Sequence, residues 1–180
     1  SAGTITINSL TSFSGIPLFG GETEIRINIS TASAASGSET FSIGPVEGQV
    51  FDQGGNPLDP AGNIQSFTLY DLLSPAVTFD PAADSLIYPT ETFIITFNEP
   101  IARLDNSAVT NDNLDFIMQL AYITEAAENI AFDASINEIK TVITVAPVAD
   151  LDQQRSLLLS FGEVFTDTVG NAVSAMSANY

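Results

Sequence analysis

Oxygen-bearing side chains are the chemically suggestive residues of this sequence, and they recur at one spacing. The stretch Asp52-Gln53-Gly54-Gly55-Asn56-Pro57-Leu58-Asp59-Pro60-Ala61-Gly62-Asn63 contains two D-x-x-G-N units. Two readings fit it. In the first these are tandem turns, because Gly and Asn accept positive φ and an Asp carboxylate accepts backbone N–H bonds. In the second, Asp52, Asn56, Asp59 and Asn63 supply oxygens to a calcium ion, with carbonyls and water completing the six to eight ligands it takes. The alternating acidic ladder of an EF-hand loop is missing, so the motif does not select the metal by itself. Further acids, Asp71, Asp80, Asp84 and Glu91, flank a Ser-Pro step at Ser74-Pro75, where a cation could relieve repulsion between neighbouring modules. Asp71 and Asp80 join the four loop residues as calcium candidates, and Asp105, Asp112 and Asp115 mark a third acidic stretch.

The inventory excludes more than it proposes. The chain has no Cys, no His and no Trp. Disulfides, thiolate or imidazole catalysis and Cys/His zinc sites are therefore ruled out. A glycosidase needs two acids facing each other across a sugar cleft, and nothing here marks such a pair or an indole to stack the sugar. No nucleophile elbow, phosphate loop or dinucleotide fingerprint occurs, so no enzyme is expected. Twenty-two acids against four bases give a net charge of −18, which repels nucleic acid and anionic membrane surfaces alike. No 18-residue apolar run is present, so no membrane insertion is expected. Ser1-Ala2-Gly3 resembles no signal peptide, and any export signal is expected to have been removed or to lie outside the sequence.

The elements that must position these loops are strands. Hydrophobic residues make up 44% of the chain, enough for a packed core. In Glu24-Ile25-Arg26-Ile27-Asn28-Ile29-Ser30 the isoleucines share one face, which predicts a strand with that face on a core and the other in water. Thr4–Ile7, Thr40–Ile43, Gly48–Asp52 and Ser66–Tyr70 read as further strands of the first half. The second half supplies Ala76–Asp80, Thr92–Phe97, Phe116–Ile123, Ile130–Asp133, Thr141–Val145, Leu157–Phe161 and a closing strand at Ala172–Met176. Single helical turns are expected at Asn111–Asn113 and Thr124–Glu128. Phe13, Tyr88 and Tyr122 read as isolated aromatic residues.

Internal repetition divides the chain. Gly48-Gln49-Val50-Phe51-Asp52-Gln53-Gly54-Gly55-Asn56 resembles Gly162-Glu163-Val164-Phe165-Thr166-Asp167-Thr168-Val169-Gly170-Asn171, and Glu22-Thr23 resembles Glu91-Thr92. The division predicts an incomplete or short domain over 1–73 and a complete one over 74–180. The first is short for a seven-stranded sandwich: either it is a trimmed variant, or strands are supplied from upstream or by another molecule.

The second half resembles the bacterial immunoglobulin-like repeat domains of surface-layer proteins and large adhesins. The resemblance rests on Pro75-Ala76-Val77-Thr78-Phe79-Asp80-Pro81, on Phe93-Ile94-Ile95-Thr96-Phe97-Asn98-Glu99-Pro100-Ile101, on Thr141-Val142-Ile143-Thr144-Val145-Ala146-Pro147 and on Asp167-Thr168-Val169-Gly170-Asn171-Ala172. It implies an all-β fold of tandem immunoglobulin-like antiparallel β-sandwiches and an extracellular, cell-surface setting. It also implies a structural role as a stalk repeat, surface-layer or filament subunit. Neighbouring immunoglobulin-like domains or copies of the same chain are the expected partners. The alternative is an adhesin domain whose end loops hold a glycan or protein ligand on a host or cell surface.

Overall fold

The computed structural model describes residues 2–123 and 128–180. Its regular structure is almost entirely antiparallel β, and it divides into two compact units, Ser1–Leu73 and Ser74–Tyr180. Among the described residues no helix is long and apolar enough to cross a membrane.

Unit 1 consists of two separate ribbons. Strands β1 (Ile5–Ser12) and β2 (Ile25–Thr31) pair from Ile5 opposite Thr31 to Ser12 opposite Ile25, with a bulge between Ile7 and Ser9. Strands β3 (Thr40–Ile43) and β4 (Gln65–Thr68) form the second ribbon, in which Phe41 lies opposite Phe67 with ring centroids 5.4 Å apart. The expected strand over Gly48–Asp52 is absent. That segment is a turn followed by a single bridge from Phe51 to Pro57, because the Gly-rich corner leaves no length for a ladder. The expected core-facing side of β2 holds only in part: Ile27 and Ile29 are half-buried while Arg26, Asn28 and Ser30 are exposed. Ile25 is 53% exposed, and the only fully buried hydrophobic residues among those described in unit 1 are Ala2 and Ala35. With two strands per ribbon, the apolar face of β2 meets Phe41, Ile43 and Phe67 across a groove, and its burial stays partial.

Unit 2 places two four-stranded sheets around one core. One sheet has the order β10-β11-β6-β5, from β5 (Val77–Asp80), β6 (Phe93–Phe97), β10 (Phe132–Ile136) and β11 (Val142–Pro147). The other has the order β14-β12-β8-β9, from β8 (Met118–Tyr122), β9 (Glu128–Asn129), β12 (Leu157–Phe161) and β14 (Met176–Asn179). Short strands β7 (Ala102–Arg103) and β13 (Phe165–Thr166) pair beside them. Phe93, Ile95 and Phe97 alternate inward and are essentially fully buried, and they meet Leu120, Leu157, Leu159 and Phe161 from the facing sheet. Ring contacts span that core: Phe97 lies 6.2 Å from Phe161 and 5.6 Å from Phe165, and Phe93 lies 4.9 Å from Tyr180.

Three expectations for unit 2 are corrected. The segment 111–117 forms α1 (Asn111–Ile117), longer than one turn, because Thr110 and Asn113 make a reciprocal capping box. The helix takes Phe116 and Ile117 out of the expected strand, which starts at Met118. The last strand is displaced to Met176–Asn179, because Ala172 bridges Thr166 and keeps the corner going. Of the expected turn at Thr124–Glu128, residues 124–127 lie outside the described residues, and Glu128 opens β9.

Candidate functional site

The two sequence repeats are one structural device used twice. In the first corner Asp52 N donates to Asn56 O at 3.0 Å, Asn56 N to Asp52 Oδ1 at 2.9 Å and Asn56 Nδ2 to Asp52 Oδ2 at 2.9 Å. In the second corner Asp167 N donates to Asn171 O at 3.0 Å, Asn171 N to Asp167 Oδ1 at 2.9 Å and Asn171 Nδ2 to Asp167 Oδ2 at 2.6 Å. The residue before each Asn is a glycine of positive φ, Gly55 at 80° and Gly170 at 102°, as the tight reversal requires. The flanking bonds match as well: Leu58 N to Val50 O and Val173 N to Phe165 O are both 2.8 Å.

Burial separates the two corners. Asp52 is exposed, and the hydrogen bonds from the side chain and backbone of Asn56 hold its carboxyl below the usual carboxylate range. Asp167 is 1% exposed. Burial pushes its pKa up, but the bonds from Asn171, Val169 and Gly170 outweigh it, so the carboxyl still lies below the usual range.

The calcium candidates are placed as follows. Asp59 Oδ1 accepts from Ala61 N at 3.0 Å, and its carbonyl accepts from Asn63 Nδ2 at 2.8 Å, closing the short 3-10 turn over Ala61–Asn63. Asp71 Oδ1 accepts from Leu73 N at 3.0 Å, and Asp80 ends β5. Thus Asp52, Asn56, Asp59, Asn63 and Asp71 all make local turn bonds. Among the described residues no trio of metal-binding side chains includes Asp52, Asp59 or Asp80, and none is formed by Asp105, Asp112 and Asp115. Asp105 is instead engaged with Ser107, whose hydroxyl and N–H donate to Oδ1 at 2.6 and 3.0 Å.

A second feature escaped the sequence. One end of unit 2 holds a cleft of about 370 Å³ lined by Leu86, Tyr88, Tyr122, Leu151, Arg155 and Tyr180. Tyr122 is not isolated: the Arg155 guanidinium lies over its ring at 3.8 Å, and its hydroxyl accepts the Asp152 N–H. Arg155 also pairs with Glu128, and with Asp152 at 2.9 Å. Likewise Phe13 lies under Arg26, 5.4 Å from the guanidinium. The cleft rim is apolar and open, with Tyr88 76% exposed and Leu86 fully so. Gln154, on the same wall, has φ 66°, a strained value for a side-chain-bearing residue. The sequence signal was Leu86-Ile87-Tyr88-Pro89, an apolar run with neither strand nor helix periodicity.

Comparison of the chain with protein-family models, with curated proteins and with solved structures finds no match.

Proposed function

We propose that this chain is a non-catalytic structural module of an extracellular cell-surface protein, two tandem immunoglobulin-like β units serving as a stalk repeat or as a surface-layer or filament subunit. The observation that carries the reading is the Asp–Asn corner built bond for bond in both units, Asp52 with Asn56 and Asp167 with Asn171. A device repeated at equivalent places in successive modules is what tandem duplication of a β unit leaves behind. The charge of −18 suits a surface-exposed repeat that must stay soluble beside copies of itself. The inventory without His, Cys or Trp supports a role free of bond-making chemistry. A glycan array probed with the 180-residue chain tests the proposal. A spacer binds no sugar, and saturable binding to one glycan class overturns it.

A second reading, an adhesin domain, is favoured by the unit 2 cleft alone. Its volume lies within the range of small-ligand sites, and it combines the exposed Tyr88 ring with polar groups on Asp152, Gln153 and Gln154. Tyr88→Ala would abolish any glycan binding that belongs to this cleft.

A further inference from the structure

We propose that unit 1 completes its core by pairing with a second copy of this chain, β2 against β2, antiparallel about Ile27. The inference deepens the structural-module reading and rests on it, since it names the surface and the partner through which such a module would assemble.

Unit 1 buries little: among its described residues only Ala2 and Ala35 are buried hydrophobic residues. Ile25, Ile27 and Ile29 of β2 and Phe41, Ile43 and Phe67 of the other ribbon line one groove of about 300 Å³. Among the described residues no charged side chain lines it. Two-stranded ribbons are marginal in water, whereas three or more strands sharing an apolar face are stable. Pairing β2 with a second β2 gives a four-stranded layer, β1-β2-β2-β1, and lays the partner's isoleucines beside those already in the groove.

The edge is open to such pairing. Among the described residues β2 hydrogen-bonds along one side only, to β1. Free edges are ordinarily guarded by charges, prolines or bulges. Here the only charge on all four strands of unit 1 is Arg26, the only cation among residues 1–73; the seven acids of this unit, Glu22, Glu24, Glu39, Glu47, Asp52, Asp59 and Asp71, all lie outside the strands. Two chains of −18 repel one another, and β2 itself carries no acid, although Glu24 immediately precedes it.

The register follows from the residues. Centred on Ile27, the pairing sets Ile25 opposite Ile29 of the partner subunit, Arg26 opposite the partner's Asn28, and Ile27 opposite Ile27 of the partner subunit. Every apolar side chain meets an apolar one, and no like charges face each other. Centring on Arg26 instead would set two guanidiniums face to face. A two-fold contact of this kind is closed, and two-fold dimers are the commonest homo-oligomers.

Sedimentation equilibrium of the 180-residue chain tests the proposal. It should show a concentration-dependent dimer. Ile27→Lys, which sets two ammonium groups opposite each other and removes two apolar side chains, should weaken the dimer by about a hundredfold. The chain has no native thiol. Ile27→Cys should therefore cross-link through one introduced thiol per copy under mild oxidation, because Cβ atoms of opposed residues lie about 5 Å apart. Ile25→Cys, displaced four residues from its own copy, should not cross-link. Four results would each overturn the proposal: a monomer at the highest attainable concentration, a dimer indifferent to Ile27→Lys, equal cross-linking at positions 25 and 27, or open-ended polymers. A monomer whose β2 amides resist exchange would overturn it too, by showing that another part of the chain covers the groove. None of these outcomes decides the spacer role, which stands or falls on the glycan array.

Discussion

Asp167 and Asn171 grip each other side chain to side chain, with Asn171 Nδ2 2.6 Å from Asp167 Oδ2, while Asp167 Oδ1 takes the N–H groups of Val169, Gly170 and Asn171 at 2.8, 2.6 and 2.9 Å. One buried carboxylate thus satisfies the amides of an entire reversal. Its exposed counterpart Asp52 takes only the N–H and side-chain amide of Asn56 on its carboxylate, while the Gly55 N–H donates to the Asp52 carbonyl at 3.1 Å.

Removing that carboxylate should be costly where it is buried. Asp167→Ala leaves three backbone donors without their acceptor, and we expect unit 2 to lose about 2–4 kcal/mol. Asp52→Ala, whose donors can turn to solvent, should cost distinctly less. Urea unfolding followed by exchange of β12 amides for unit 2 and β2 amides for unit 1 gives both values.

The cores should respond unequally to truncation. Leu159→Ala, at a fully buried position between the sheets of unit 2, is expected to cost about 2–5 kcal/mol. Ile29→Ala in unit 1 should cost under about 1 kcal/mol in the monomer, because Ile29 is only half-buried there. Equal losses in urea titrations would mean that unit 1 already has a closed core.

Tyr180 should confer an alkaline limit. Burial, assisted by the negative charge of Asp80, pushes its hydroxyl up to about 12, and the neutral form donates to Pro81 O at 2.9 Å. A pKa raised in the folded state gives stability that is complete below the unfolded value near 10 and is lost as pH rises through about 12. Thermal melts of unit 2 should fall over that window, and Tyr180→Phe should flatten the fall.

At the acid end the sign reverses. The Ser36 N–H and hydroxyl hold Glu39 at about 2, against an ordinary value of 4.5. Stability from a depressed carboxyl is present above 4.5 and disappears as pH falls toward about 2. Glu39→Gln should therefore lower the melting temperature at neutral pH, with the difference shrinking as pH falls from 4.5 through about 2 and vanishing below it.

Divalent cations should act through the field of the chain. Where screening alone acts, calcium and magnesium at equal ionic strength should raise the melting temperature equally. A calcium-specific rise, reversed by chelator, would support ion binding by Asp52, Asn56, Asp59, Asn63, Asp71 and Asp80.

How much of this was legible follows from what each signal encodes. The alternation in Phe93–Phe97 and Ile25–Thr31 located both strands, because period-two patterning reports backbone geometry directly. It did not report burial: Ile95 is fully covered and Ile25 largely bare, since coverage depends on whether a second layer exists. The Asp–Gly–Asn spacing exposed the corner, as that bonding is local. Arg155 over Tyr122 could not be seen, because 33 residues and a change of strand separate them, and pattern carries no such distance. The helix over Asn111–Ile117 was legible only as a single turn at Asn111–Asn113, because its last two residues, Phe116 and Ile117, also open an apolar run that suits a strand.

One small motif recurs at the entrances of three strands. Glu22, Glu39 and Glu91 each take the N–H of the residue three positions earlier, from Phe19, Ser36 and Tyr88, just ahead of β2, β3 and β6. An engineer trimming negative charge to ease purification or crystallisation would treat all 22 acids as ballast. Exchanging a glutamate at one of these doorways for lysine would undo the fold of the approach to a strand, whereas the same exchange at Glu47 would alter nothing but the isoelectric point.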